Sequence, residues 1–502
     1  MTLFALLLLS ALASSGSPRG GDEWPGWRGP AGNGLSAGSP PVEWSEEKNV
    51  RWKVEIPGKG NSSPVVWGDR VFVTTAIGTG KIGAAPASSD EEPGDRRAGE
   101  RGGERVGERG AEGGEQGGEQ GGERGGERGG GVERGDDRGA GRGGDRGPGR
   151  EGGGGRGGFG GRGPAPPEEQ HFVMLAFDRA SGELAWEAEA RTGMPPQGTH
   201  PDGSYATATP VTDGEHVIAS FGSNGLFCYT IAGELVWEKD LGDMDIMRAF
   251  GEGSSPVLHR GTLIVNWDNE GDSFLVALDK ATGAEKWRTQ RPGGTSWCTP
   301  TVVDTQSGSQ VIVAGAVTKA YDFATGKELW SYGEAPGGSG GGVISSAIQH
   351  GGLLLFSTGN RRGELRCLDL ALVGKEGEEP LAWIFEGDTP HVPSPVAHDG
   401  IFYVLKSNSG LLSAYDVGSG ERLYGPERMQ GVADAYASPV VADGRLYFTD
   451  RQGAVEVVLA GSEYASLAVN KLEDAFDASP AIAGEEIFLR GRAHLYCIAE
   501  GS

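Results

Sequence analysis

The feature that most limits what this chain can become is a nine-residue unit, Asp279-Lys-Ala-Thr-Gly283-Ala-Glu-Lys-Trp287. It recurs from Asp178 through Gly182 to Trp186, and from Asp322 through Gly326 to Trp330. A copy from Asp416 through Gly420 ends on Tyr424, and between Tyr229 and Trp237 the Asp is lost while Gly233 still stands four residues before the tryptophan. Trp52 and Trp383 occupy the same place in further copies. An alternating apolar run such as Phe274–Leu278 precedes the unit and reads as a strand. The Asp and Thr or Ser accept turn hydrogen bonds, and Gly supplies the positive φ of a tight hairpin. The following strand carries its large aromatic at a fixed position. One hairpin cannot bury that ring, so the units must stack on one another.

A second signal marks where each unit starts. It is a Ser or Thr before proline, followed by a short apolar strand: Ser63-Pro64, Thr209-Pro210, Ser255-Pro256, Thr299-Pro300, Ser394-Pro395, Ser438-Pro439 and Ser479-Pro480. Ile344-Ser-Ser-Ala-Ile348 takes the role without proline, which makes eight starts. Proline is tolerated at the first residue of a strand. The last unit runs out after two further strands, and the missing fourth strand is supplied by Arg51–Ile56, with Trp52 as its aromatic. An N-terminal strand that completes the C-terminal unit closes a ring without free edges. The sequence therefore predicts an all-β, eight-bladed β-propeller of four-stranded blades over residues 50–500.

Three segments fall outside the repeats. Residues 1–13 form an apolar run ending Ala11-Leu-Ala13, the pattern of a cleaved export signal, too short to span a membrane. Residues 22–49 are a Trp-, Pro- and Gly-rich lead-in, expected to be ordered because Trp24, Trp27 and Trp44 do not stay exposed together. Residues 80–168, inside the first blade, repeat Gly-Glu-Arg with almost no apolar side chain and are expected to be disordered. A net charge of −25 argues against nucleic acid and anionic membranes as partners. Cys228, Cys367 and Cys497 fall in equivalent strands of separate blades and, with Cys298, are expected to be buried free thiols.

The Asp-x-x-(Thr/Ser)-Gly-x-x-x-Trp units resemble the repeat of pyrroloquinoline quinone (PQQ) enzymes and of non-enzymatic PQQ-like propellers. Trp24-Pro-Gly-Trp27-Arg28-Gly-Pro30, Gly251–Pro256, Asn266–Leu278, Tyr424–Glu427 and Phe476–Pro480 are similar to exported bacterial PQQ-like repeat proteins, and the chain as a whole resembles the scaffold propeller of outer-membrane assembly. The resemblance implies the fold, while the activity is left open because such propellers host dehydrogenases and scaffolds alike. By the same resemblance, the dehydrogenases stack the quinone between a tryptophan and a ring made by two adjacent disulfide-bonded cysteines, with Ca²⁺ ligands nearby. No adjacent cysteine pair and no Cys-x-x-Cys-His haem site occurs here.

Loops before each first strand and between second and third strands share one face around the axis. That face is assigned Glu252, Asp268, Glu270, Asp272, His391, Lys406, Asn408, Asp434, Asp477, Arg490 and Arg492 as ligand or partner candidates. Asn360, Arg361, Asn269, Asp450 and Arg451 are placed on the same face. Asp268, Glu270 and Asp272 alternate as in a Ca²⁺ loop but lack its final bidentate Glu. No residue is assigned as catalytic; a carboxylate pair such as Glu252 with Asp477 would support a glycosidase-like reaction. The expectation is an exported monomer, periplasmic or extracellular, that binds a protein or glycan partner and needs no cofactor. The alternatives are a PQQ- and Ca²⁺-dependent dehydrogenase or an unrecognised hydrolase.

Overall fold

In the third blade Val257–His259, Thr262–Trp267, Phe274–Asp279 and Glu285–Gln290 pair antiparallel in chain order, and Ala277 stands opposite Trp287. The same meander occurs eight times, and the computed structural model is an all-β, eight-bladed propeller. It describes residues 21–83, 166–333, 342–358 and 363–501. All of these belong to one unit spanning residues 1–86 and 162–502, and the second unit, 87–161, lies outside them. The apolar run 1–13, Asn360 and Arg361 are likewise outside the described residues. In the first blade the paired strands Arg70–Ile82 and Glu168–Asp178 extend to an Ile82–Glu168 pair. Sheet pairing therefore continues into both ends of the 80–168 segment, and only 84–165 falls outside the description.

First strands of successive blades touch in a closed ring, the eighth meeting the first. The eighth blade is Ala481–Ala483, Glu486–Arg490 and His494–Ile498, completed by Val50–Glu55. Closure is fixed at that seam by charge as well as by pairing. Glu486 receives the guanidinium of Arg179 at 2.6 Å and that of Arg51.

The nine-residue unit folds for the local reasons its residues supply. In the third blade Asp279 accepts the Thr282 amide at 3.2 Å and the Thr282 hydroxyl at 3.0 Å. The Gly283 amide donates to the Asp279 carbonyl at 2.9 Å with φ at 66°. The glycine has a second duty: a Cβ there would lie 2.8 Å from the Trp237 ring of the preceding blade. Trp237 in turn donates Nε1–H to the Lys280 carbonyl at 2.8 Å. Trp52, Trp186, Trp287 and Trp383 repeat this contact against Gly182, Gly233, Gly326 and Gly420. Their indoles donate to the carbonyls of Arg179, Ile231, Phe323 and Val417. Trp330 departs from the pattern and donates to the Gln310 side chain. The other five tryptophans are thus both apolar fillers and hydrogen-bonded pins between blades, whereas Gln310 belongs to Trp330's own blade.

Opposite each aromatic, on the third strand, sits a small residue. It is Ala176, Cys228, Ala277, Ala320, Cys367, Ala414 or Cys497 beneath Trp186, Trp237, Trp287, Trp330, Trp383, Tyr424 and Trp52 respectively. Three of the cysteines therefore fill an alanine-sized slot under an indole. All four are buried and unbridged, and burial pushes their thiols up to about 12.

The Ser and Thr of the blade starts form a belt around the axis. Amide-to-hydroxyl bonds run from Ser63 to Thr209, Thr209 to Ser255, Ser255 to Thr299 and Thr299 to Ser346. They continue from Ser346 to Ser394, Ser394 to Ser438 and Ser438 to Ser479, each between 2.9 and 3.0 Å. From Thr209 to Ser479, each hydroxyl satisfies the buried amide of the blade before it.

The lead-in threads the ring. Trp24 pairs with Val66 of the first blade, and the Pro25 carbonyl accepts the Thr212 amide of the second. Arg28, 1% exposed, donates to the carbonyls of Ser394 at 3.2 Å and Pro395 at 2.7 Å in the sixth. Leu35–Ser36 then adds a parallel fifth strand to the seventh blade, and the Ser36 hydroxyl reaches the Ile482 carbonyl of the eighth. Blades two and six lie opposite in an eight-membered ring, so the segment crosses the axis. Trp24 and Trp44 are buried by it.

Candidate functional site

The loop face gathers its charges into separate clusters. The largest centres on Arg451, from the loop between second and third strands of the seventh blade. Its guanidinium meets Asp477 at 2.7 Å, Asp202 at 2.9 Å and Asp434 at 3.1 Å. Arg492 shares Asp477 at 2.8 Å, and the Tyr436 hydroxyl donates to Asp202 at 3.2 Å with its ring 3.9 Å from the Arg451 carbon. Burial alone would lower the Arg451 pKa, but Asp477 and Asp202 outweigh it and raise it. Asp434, Asp477 and Arg492 are thus brought together as members of one network.

Arg490 lies beneath the belt, 3% exposed, donating to Ser62 and to the carbonyl of Thr74. It is a structural pillar below the surface, and desolvation lowers its pKa to about 9. Lys406 faces the buried Asp388 at 3.4 Å, which also holds Ser413, Tyr415 and Arg422. The Asn408 side chain accepts the Val392 amide at 3.0 Å, and the His391 amide donates to the Ser407 carbonyl. These two shape the sixth-blade loop.

The third-blade cluster divides. Asp268 is buried in a two-pronged ion pair with Arg291, at 2.7 and 2.9 Å, and Arg291 also donates to the Tyr321 hydroxyl at 2.6 Å. Glu270 accepts the Thr295 amide at 2.9 Å and its hydroxyl at 2.7 Å, while Asp272 is exposed. Asn269 holds the tip by donating to the carbonyls of Trp267 and Asp272. The alternating acids therefore form a polar hairpin tip, with Asp268 and Glu270 already committed to protein partners. No group of three or more His, Cys, Asp or Glu placed to hold a metal ion occurs among the described residues.

A narrow cleft opens between the loops of blades two and three. Its walls include Tyr205, Phe221, Trp267 and Trp297, and its floor carries Glu252. The Trp297 indole donates to the Gly251 carbonyl at 2.7 Å, and a Cβ on Gly253 would touch its ring at 3.1 Å, so it lies over the segment that carries Glu252. The Glu252 carboxylate fills the space a side chain at Gly222 would take. There it accepts the Ser223 amide at 2.9 Å and meets the Ser223 hydroxyl. Desolvation pushes its carboxyl up to about 7, against the lowering effect of Ser223. Asp477 belongs to the Arg451 network, so it does not share this cleft with Glu252.

Asp202, Tyr436, Ser223, Trp297 and Arg291 were not singled out by the sequence. None has a local signature: Asp202 reaches Arg451 from the loop that follows the first blade, and Ser223 sits in a turn legible only as Gly222-Ser-Asn-Gly225.

The family model PQQ_2, described as outer membrane protein assembly factor BamB, matches residues 170–424. Among solved structures the chain is similar to the quinohemoprotein alcohol dehydrogenase from Comamonas testosteroni, with 11% identity, 95% of this chain and 80% of that chain covered, and a TM-score of 0.56. A europium-containing methanol dehydrogenase shares 11% identity over 94% of this chain and 90% of its own, with a TM-score of 0.55. BamB from Moraxella catarrhalis shares 14% identity over 64% of this chain and 91% of its own, with a TM-score of 0.47. No curated protein matches. At these identities the structures share the fold alone, whereas the family model spans half of the sequence, from the third strand of the first blade to the fourth of the sixth; the chain belongs to the PQQ_2 family of outer membrane protein assembly factor BamB.

Proposed function

We propose that the protein is an exported binding module that presents its loop face to a protein or glycan partner and does not oxidise substrates through a quinone. The observation that carries this reading is the Arg451 network, in which three carboxylates and two guanidiniums from loops of different blades pair with one another. Such an arrangement gives a preorganised polar surface with no acid or base free to move a proton. The four cysteines support the same reading: they are buried in and between blades, and no two are adjacent. The quinone stack that the family resemblance calls for has no matching pair. A hydrolase would need a base beside Glu252, and both oxygens of Asp268, which lines the same cleft, are engaged by Arg291.

Export rests on the apolar run ending Ala11-Leu-Ala13. No helix among the described residues is long and apolar enough to cross a membrane.

Two measurements test the reading. PQQ is titrated with and without Ca²⁺ while quinone absorbance and melting temperature are followed; calcium-dependent stabilisation with dye reduction by an alcohol would overturn it. A photo-crosslinking residue is then placed at Arg492 on the loop face or at Leu329 on an outer strand. Adducts in the native host at the first position and not the second are expected; equal yields would also count against it.

A further inference from the structure

Glu252 is the one carboxylate lining the cleft between blades two and three that has no countercharge among the described residues. Asp268 in the same lining has Arg291, whereas Glu252 is held only by the amide and hydroxyl of Ser223. Two neutral donors leave acceptor capacity on an ionised carboxylate. The nearest further charge acting on it is Asp243, which is of the same sign. Tyr205 and the Trp297 indole, which lies over Gly251–Gly253, line the same cleft.

A carboxylate at the floor of an aromatic-walled cleft suits a ligand with an apolar stem and a cationic head. The ring faces attract the cation, the walls cover the methylenes, and the carboxylate pairs with the charge. A bare divalent ion would need several oxygen ligands around it, and the described residues offer no such group. We infer that this cleft is a binding site for a basic side chain, lysine or arginine, presented by a protein partner. The inference rests on the binding-module reading above and names the chemistry of the partner.

The pH dependence follows from the groups facing Glu252. Asp243 acts on it, Asp268 and Tyr205 line the same cleft, Arg291 is taken up by Asp268, and His200 lies on the loop bonded to Phe250. Burial keeps the Tyr205 phenol neutral, up at about 12. The Glu252 carboxyl, held near 7, loses the charge that pairs with the ligand as pH falls below that value, so affinity for the cation weakens on acidification.

The test is a calorimetric titration of the full chain with acetyl-lysine-amide, acetyl-arginine-amide, acetyl-norleucine-amide and CaCl₂. Lysine or arginine probes are expected to bind, norleucine at least tenfold more weakly, and Glu252→Gln to lose at least tenfold in affinity for the cation at pH 8. On the unmodified protein, affinity should fall about tenfold between pH 8 and pH 6, a readout that does not depend on the variant folding. Norleucine binding equally well, calcium binding alone, no binding of either basic probe at millimolar concentration, or no change on Glu252→Gln would each overturn the inference. If crosslinks at Arg492 persist while the basic probes fail, only this site falls; if the quinone titration succeeds, the binding-module reading falls with it.

Discussion

The Ser255 hydroxyl accepts the backbone amide of Thr209 at 3.0 Å, although 46 residues of chain separate them. Both residues begin blades, and both are buried. The amide of Thr209 has left water on folding, and this hydroxyl is its partner. Ser255→Ala should therefore cost about 1–3 kcal/mol, the desolvation penalty of an unpaired buried donor. Ser255→Thr should be nearly silent, because Thr209 and Thr299 perform the same task elsewhere in the belt. Urea midpoints of the two variants check this, and equal losses would show that the hydroxyl is not what matters.

The pin between blades makes a different kind of prediction. A Cβ at Gly283 would meet the Trp237 ring at 2.8 Å, whereas one at Gly261 would meet nothing within 4 Å. Both glycines have positive φ, 66° and 74°. Gly261→Ala should lose only the left-handed penalty, roughly 1–2 kcal/mol. Gly283→Ala adds the displacement of an indole and should lose about 1–3 kcal/mol more. Comparing denaturant midpoints separates backbone strain from the inter-blade contact.

These two relationships also show what the residues disclosed and what they withheld. The Trp–Gly unit was readable because turn and aromatic lie within nine residues, and stacking follows from a ring that its own hairpin cannot cover. The Ser/Thr-Pro starts were readable as strand starts, but the hydroxyl's partner lies on another blade and leaves no local trace. Cys228, Cys367 and Cys497 looked like interchangeable small hydrophobes, and they share a slot with alanines under the indoles. The lead-in was legible only as ordered. Its crossing of the ring depends on Trp24, Pro25, Arg28 and Leu35 meeting the starts or first strands of four blades, and Trp-Pro-Gly-Trp-Arg has no period from which to infer it. On the loop face the pairing that divides the charges, Arg451 with Asp202 against Asp268 with Arg291, is fixed only by loop conformation.

Arg28 ties the lead-in to the sixth blade. Its guanidinium serves the carbonyls of Asn33, Ser394 and Pro395 and is almost wholly buried. Burial lowers its pKa to about 9, which leaves it cationic at neutral pH. Arg28→Ala removes every one of these donors and opens a void beside Trp27, so a loss of about 3–5 kcal/mol is expected. Limited proteolysis should then cut within residues 21–41 before it cuts the blades. A variant as resistant as the parent would show that the segment is held by its strand pairing alone.

Glu252 makes stability depend on pH in the direction opposite to most carboxylates. Its folded carboxyl is raised from the model-peptide value of 4.5 to about 7 by desolvation. Between those values the unfolded chain has released the proton and the folded chain retains it, so the folded state binds more protons and stability falls as pH rises. The contribution is fully present below about 4.5 and gone above about 7. Glu252→Gln carries no titrating proton, so its melting temperature should match or trail the parent at pH 5 and gain on it steadily up to pH 8. Paired melting curves across that window give the difference. A constant offset between the two proteins would mean that Glu252 is ionised throughout, with its charge already compensated in the cleft.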